Sequence, residues 1–459
     1  MRKCFLLNCL FLCTTALFAQ GINFDQGTWK EVLAKAKAED KLVFIDVYTS
    51  WCGPCKKMSA EVFPLAQVGE VFNPSFVNYK IDAEKGEGID IARQFGVRSF
   101  PTYLFVNGDG ILVYRSGGYN PAPAFLKEAN IAIKEKHDPK PLALWDDEYL
   151  AGRRDKTFLI DYLKKRAVVK VPNGDILEEA FLVLIKEDLE NKELMEAVFA
   201  YDPNMTFVPG GKFYQYVIKN YKAIQARIGK KDDYVLGVTN AGMYQYFNTE
   251  IIKNNKEEML TVMLAAQKQL MELMKRDDVD ATLKGLTMKY YRGTKNAKKL
   301  VPAALDYVNN GLLKLDIPGK IAADKAAYQK MREPYIKGEK DSAQVEGWSS
   351  MQRISANQQM VDICYKLRDA AQAIYSIADN PKMLTKAMEW VKLAEGYFPH
   401  FSIEAVYAGL LLKSGRKKEA ADMMRKASED SFVKGGDKQK LLWANLAQIQ
   451  KGEVPEQLW

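Results

Sequence analysis

Residues 41 to 55, KLVFIDVYTSWCGPC, constrain the fold of this chain more than any other stretch. Lys41 to Tyr48 is a short, β-branched and mostly apolar run of the kind that becomes a buried strand. Thr49-Ser50-Trp51 then turns the chain, and Gly53-Pro54 stand where a helix would begin. Proline costs little there, because its missing N–H would be unpaired in a first helical turn anyway. A sulfur at such a point faces unsatisfied backbone N–H groups and the positive end of the helix dipole, which favours its thiolate. Cys52 is therefore the expected attacking sulfur. Cys55, about one helical turn on and on the same face, is placed to close the ring as the resolving sulfur. Such a pair can pass between dithiol and disulfide. Half of a zinc site is the other chemistry open to two such cysteines. Tetrahedral zinc needs two more ligands, however, and beyond residue 19 only Cys364, His137 and His400 remain as soft candidates, so no metal is expected.

Trp51-Cys52-Gly53-Pro54-Cys55 resembles the active site of the thioredoxin family, and the similarity extends over roughly residues 24 to 136. The resemblance implies an α/β thioredoxin-like fold and thiol–disulfide oxidoreductase activity in cell redox homeostasis, with no cofactor beyond the redox-active Cys52–Cys55 pair. It implies a buried acid at Asp46 that assists deprotonation of Cys55. In Ser99-Phe100-Pro101-Thr102 it implies a cis proline at Pro101 facing the sulfurs, with Trp51, Gly53, Pro54 and Phe100 completing the substrate groove. The Gly-Pro dipeptide resembles reducing members, so a reductase or isomerase of client disulfides is expected rather than an oxidase. One position departs from the pattern: a buried lysine is common four residues before the aspartate that ends the next strand, and Asn78 stands there relative to Asp82. On this reading Asp46 lacks a cationic neighbour. A thioredoxin fold kept only as a binding module of a non-enzymatic scaffold is the competing interpretation.

The flanking sequence fits the same fold. Thr28-Trp29-Lys30-Glu31 is a capping-box pattern that opens a helix to about Glu39. Ser75 to Ile81 alternates as a strand, and Gly88 to Phe95 suits a short helix. Asn107-Gly108-Asp109-Gly110 marks a hairpin between strands at 102–106 and 111–116, and Pro121 starts a last helix to about Lys136.

Arg2 and Lys3 precede an almost wholly apolar stretch from Cys4 to Phe18, with Ala19 as a small residue for cleavage, so residues 1–19 read as a signal peptide. The expected location is the periplasm, or an equivalent exported space. No later segment has the apolar length of an integral span, so solubility is expected after cleavage. A reductase there would draw electrons from a membrane thiol donor. The leader takes three of the six cysteines with it, so disulfide staples do not hold this fold. Net charge is +8, modest for 459 residues, and lysine-rich stretches such as 284–299 read as solvated helix faces, so no nucleic-acid partner is expected.

His137-Asp138-Pro139-Lys140-Pro141 reads as a linker closing a domain at 20–138. From 142 to 459 the texture turns helical, for example over 176–189, 212–228, 256–275 and 355–378. Ala387, Val391 and Ala394 recur as Ala420, Met424 and Ala427 thirty-three residues later, each set after a polar turn. Such small-large-small spacing resembles tetratricopeptide repeats, whose period is about thirty-four. Two repeats are expected, near 368–401 and 402–435, with 441–450 as a capping helix. An all-α repeat domain of this kind offers a concave surface for client or partner proteins.

Overall fold

The computed structural model describes residues 21–50, 52–200, 205–342, 348–377, 380–434 and 436–459. The expected signal peptide, Trp51 and Asp379 of the first repeat's turn lie outside these residues. The chain divides into two compact units, Met1–Asn173 and Gly174–Trp459.

The first unit contains β1 (Phe24–Asp25), α1 (Trp29–Ala38), β2 (Leu42–Tyr48), α2 (Gly53–Glu61), α3 (Ala66–Ser75), β3 (Phe76–Asp82), α4 (Gly88–Gln94), β4 (Thr102–Val106), β5 (Leu112–Gly117), α5 (Ala122–Lys136), α6 (Leu142–Leu150) and α7 (Lys156–Val169). The five strands form one sheet in the order β1-β3-β2-β4-β5. β1, β3 and β2 run parallel, β4 runs antiparallel to β2, and β5 runs antiparallel to β4. Successive strand side chains face opposite sides, so β2 feeds two cores. Leu42 and Phe44 join Met58, Phe72, Tyr103 and Phe125 on the α2–α3–α5 side. Val43, Ile45 and Val47 join Val32, Ala36 and Ile91 on the α1–α4 side. Phe44 is fully buried with the rings of Phe72, Tyr103, Phe105 and Phe125 centred within 6 Å of its own, and a phenyl ring buried this way contributes about 2–3 kcal/mol.

Local chemistry sets the boundaries. Thr28 caps α1 and Glu31 closes the capping box, donor and acceptor both in place. In the hairpin loop Asn107 Oδ1 accepts from the N–H groups of Asp109 and Ile111 at 3.0 and 2.9 Å. Gly110 sits at φ +77°, and a Cβ on Gly108 would stand 2.6 Å from the Lys37 backbone, so both positions require glycine. Helix α3 was not legible, because Gly69 and Pro74 interrupt its pattern. Pro74 lies in its last turn, where it removes one i→i−4 hydrogen bond from the end of the helix.

The linker reading at 137–141 assigns the next two helices to the second part, but packing groups them with the sheet. Lys165 of α7, its side chain 8 % exposed, pairs with the equally buried Glu135 of α5 and lies 2.8 Å from Asp138. Lys170 Nζ meets Glu128 at 2.8 Å, and Glu128 also accepts from the Tyr114 hydroxyl of β5 at 2.6 Å. Residues 139–141 are thus a turn within one unit.

The second unit is helical throughout its described residues. Its helices are α8 (Gly174–Phe181), α9 (Lys186–Leu189), α10 (Lys192–Val198), α11 (Lys212–Arg227), α12 (Tyr234–Tyr246), α13 (Glu258–Leu273), α14 (Val279–Gly293) and α15 (Ala297–Asn310). They are followed by α16 (Ile317–Ile336), α17 (Trp348–Ser355), α18 (Gln358–Ile377), α19 (Pro381–Tyr397), α20 (Phe401–Lys413), α21 (Lys417–Glu429) and α22 (Asp437–Lys451). The helix expected over 176–189 is two pieces, split at Leu182–Ile185, where Asp188 takes the Ile185 N–H and starts α9 afresh. α18 begins at Gln358, ahead of the expected repeat start at 368, so the helices of the two pairs α18–α19 and α20–α21 differ in length. The alanines that carry the repeat, Ala387, Ala394, Ala420 and Ala427, are fully buried where helices approach closely. A chain segment after α22 closes this end: Tyr375 donates to Pro455 O at 2.9 Å, and Asn445 to Gln457 O at 2.8 Å.

Candidate active site

The strand β2 delivers its chain to Thr49–Cys52 at the edge where β4 begins, since Val47 pairs with Thr102. Cys52 and Pro101 therefore leave the same end of the sheet. Cys52 is the N-cap of α2, Pro54 occupies the first turn, and the Cys55 N–H points at Cys52 Sγ at 3.1 Å. The two sulfurs form a disulfide with Cα atoms 5.3 Å apart, and each cysteine is 3 % exposed. Gly53 and Pro54 are exposed beside them, and a Cβ built on Gly53 meets nothing within 4 Å. The Phe100–Pro101 bond is cis, and Pro101 O accepts from the Gly118 N–H at 2.9 Å. Trp51 lies outside the described residues.

Asp46 shares its face of β2 with Phe44, the side that α2 covers. It is 1 % exposed, and burial is the main influence on its carboxyl, pushing the pKa up to about 6 against the opposing pull of Lys80. That lysine corrects the expectation of an unaccompanied acid. Lys80 Nζ stands 3.1 Å from Asp46 Oδ2. The pair is an ion pair without hydrogen-bond alignment, as neither carboxylate oxygen accepts a hydrogen bond. Lys80 instead donates to Ser59 Oγ of α2 at 2.6 Å and lies over the rings of Tyr48 and Phe63. Asn78, on the same face two residues earlier, ties Asn73 and Asn23 together. The reason is register. In the parallel β2–β3 ladder Asp46 stands opposite Lys80, while Asn78 stands opposite Phe44. Counting back from Asp82 cannot reveal this, but the period of two could, because positions 78 and 80 share a face.

A second feature escaped the sequence. Tyr119, in the loop after β5, donates to Glu61 of α2 at 3.0 Å while Lys57 sits over its ring, so this loop is fastened to the cysteine helix. Among the described residues no group of three His, Cys, Asp or Glu could hold a metal ion. Cys364 is fully buried in α18, and burial pushes its thiol up to about 12.

Residues 29–132 match the family model of a thioredoxin-like domain. Over 80 residues the chain is 39% identical to Thioredoxin-1 of Drosophila yakuba and covers 70% of that protein. The chain belongs to the thioredoxin family. That match takes in 17% of this chain, so the likeness is of the first unit's thioredoxin domain. A protein disulfide-isomerase of Medicago sativa is 28% identical over 154 residues, and the chain spans 30% of its length. A solution structure of a candidate disulphide-isomerase from Bacteroides thetaiotaomicron is 44% identical, with a TM-score of 0.24, covering 25% of this chain and 95% of that one. Members of the thioredoxin-like family are thiol–disulfide oxidoreductases, and the Cys52–Cys55 pair of that chemistry is present.

Proposed function

We propose that this protein is an exported thiol–disulfide oxidoreductase that reduces or isomerises disulfides of client proteins, with the helical unit holding clients or partners. The observation that carries the reading is the placement of Cys52 as N-cap of α2, its sulfur receiving the Cys55 N–H. A donor aimed at that sulfur stabilises negative charge on it, as does the positive end of the helix.

In the reduced protein the Cys52 thiolate attacks one sulfur of a client disulfide. The client S–S bond breaks, a Cys52–client bond forms, and the other client sulfur leaves as a thiolate that takes up a proton. Asp46, about half ionised at pH 6 and largely so at neutral pH, accepts the Cys55 proton. The Cys55 thiolate attacks Cys52 Sγ, the internal disulfide closes, and the second client thiol is released. Two electrons have passed from the Cys52–Cys55 dithiol to the client, and a membrane thiol donor restores the dithiol. Pro101, Phe100, Gly53, Pro54 and Trp51 form the groove that holds the client beside the sulfurs. Alanine-faced helix pairs support a tetratricopeptide-like stack in the second unit, and the leader-like residues 1–19 support export. No helix among the described residues is long and apolar enough to cross a membrane.

The test is a redox titration of the Cys52–Cys55 couple together with insulin reduction under dithiothreitol. A potential near −270 mV, about that of thioredoxin, and turnover abolished by Cys52→Ser are expected. A potential near −120 mV, about that of strong disulfide oxidants, would reverse the direction.

A further inference from the structure

Helices α12, α14, α15 and α18 line a half-open cavity of about 300 Å³ in the second unit. Its polar lining is dominated by donors. Lys289 and Arg292 of α14, both exposed, have no carboxylate partner among the described residues, and Lys289 Nζ lies 5.9 Å from the Tyr244 ring centroid. The hydroxyls of Tyr244 and Tyr307 also make no hydrogen bond among the described residues. Burial holds the Tyr244 phenol up at about 12, so it stays a donor. Desolvation lowers the pKa of Lys289, although the residue as a whole is exposed.

The other charges of the lining have partners of their own, although, after burial, Asp362, Asp369 and Asp278 still raise the pKa of the Tyr307 phenol. Lys366 Nζ meets Asp362 at 2.7 Å, and Asp369 is held by Arg368 at 2.7 Å. The cavity thus keeps two unpaired cations and two unused phenols, beside an apolar wall of Leu286 and Met288. Gly285 makes the shape: a Cβ there would stand 3.0 Å from the Tyr307 ring, so the ring lies directly against the α14 backbone.

We propose that this cavity binds an oxyanion, a carboxylate or phosphate group carried on a small apolar body, through Lys289 and Arg292 with the two tyrosines donating from the walls. A guanidinium offers a planar fork to such a group and an ammonium a point charge, and both gain from sharing a partly enclosed site. The volume, at the lower end for ligand pockets, takes one acidic side chain with an apolar neighbour or one small phosphorylated molecule. The site is independent of the disulfide chemistry and stands whether or not clients are recruited.

Calorimetric titration of the full chain at low salt tests this with three probes: acetyl-Leu-Glu-Leu-amide, its glutamine counterpart, and phenyl phosphate. Binding of at least one anionic probe with Kd of about 1 mM or tighter is expected, weakened at least about tenfold in the Lys289→Ala, Arg292→Ala double variant. A peptide that binds while its glutamine form and phenyl phosphate do not points to an acidic protein segment. The converse points to a small phosphorylated ligand. Absence of binding by both anionic probes, or binding that the double variant leaves unchanged, overturns the proposal. If the double variant misfolds, Arg292→Gln carries the same test, since that side chain is exposed and its loss removes only charge.

Discussion

Lys80 Nζ stands 3.1 Å from Asp46 Oδ2 across the β2–β3 ladder, joining a 26 % exposed lysine to a carboxylate 1 % exposed. The lysine is the solvated end of the pair and the aspartate the sealed end. Its partner is close enough to lower the acid's pKa, yet burial outweighs it and the net shift is upward. A carboxyl whose folded pKa is about 6 and whose unfolded value is 3.8 favours folding fully below pH 3.8, and that contribution is lost as pH rises through 6.

The first prediction follows from that sign. Asp46→Asn should be more stable than the parent at pH 8, by up to about 3 kcal/mol, with the difference vanishing below pH 4. Urea unfolding across this range reads it directly. The same variant should release mixed disulfides more slowly. A stability gap that does not change with pH would remove Asp46 as the responsible group.

Lys80→Met should push the Asp46 pKa further up, because it deletes the one cation that opposes burial. The acidic limb of the disulfide-reduction pH profile is expected to move upward by about one unit. A profile that stays in place would show that Lys80 does not tune the acid.

Reduced protein should be alkylated at Cys52 well before Cys55 near neutral pH, and Cys55→Ser should trap mixed disulfides through Cys52. Peptide mapping after brief iodoacetamide exposure distinguishes the two. Faster labelling of Cys55 would exchange their roles.

The buried Lys165–Glu135 pair bears on where the first unit can be cut. A fragment of residues 21–138 loses Lys165 and leaves Glu135 without its cation, whereas 21–173 retains both. The longer fragment should be the more stable, and Lys165→Met within it should cost about 3–5 kcal/mol. Equal melting of the two fragments would mean that α6 and α7 add nothing to the fold.

His400 gives the helical unit an acid limit. It is 7 % exposed among the rings of Tyr365, Phe398, Phe401 and Phe432, and burial lowers its pKa to about 4. Its neutral form favours folding above pH 6.5, and that contribution is lost as pH falls towards 4, to the extent of about 3 kcal/mol. Amide exchange in α20 should therefore accelerate between pH 6.5 and 4, after correction for intrinsic rates, and His400→Gln should flatten the dependence.

Most of the first unit could be read from local chemistry, because its signals act over short spans. Thr28 and Glu31 are three residues apart, the hairpin loop is Asn107 to Gly110, and Cys52 and Cys55 fall within one turn. What stayed hidden depends on residues distant in sequence. Lys80 reaches Asp46 through strand register, and Lys165 reaches Glu135 through helix packing. A polar linker composition at 137–141 is equally a polar turn when the next helix has a buried charge to satisfy. In the second unit, alanine spacing marked where helices approach, but not where α18 begins, since the ends of long helices are set by tertiary neighbours. There Asp324 of α16 takes the Gln359 and Met360 N–H groups and starts α18.

The open space over Gly53, beside sulfurs almost wholly covered, governs how electrons enter and leave. Each cysteine is 3 % exposed, so a bulky group meets little of the disulfide directly. An extended peptide can lie across the bare glycine and bring its own sulfur within bonding range. Gly53→Ala, which meets no atom inside the protein, would still raise a methyl group on that path. The missing side chain works as an aperture, admitting partners by the profile of their backbone.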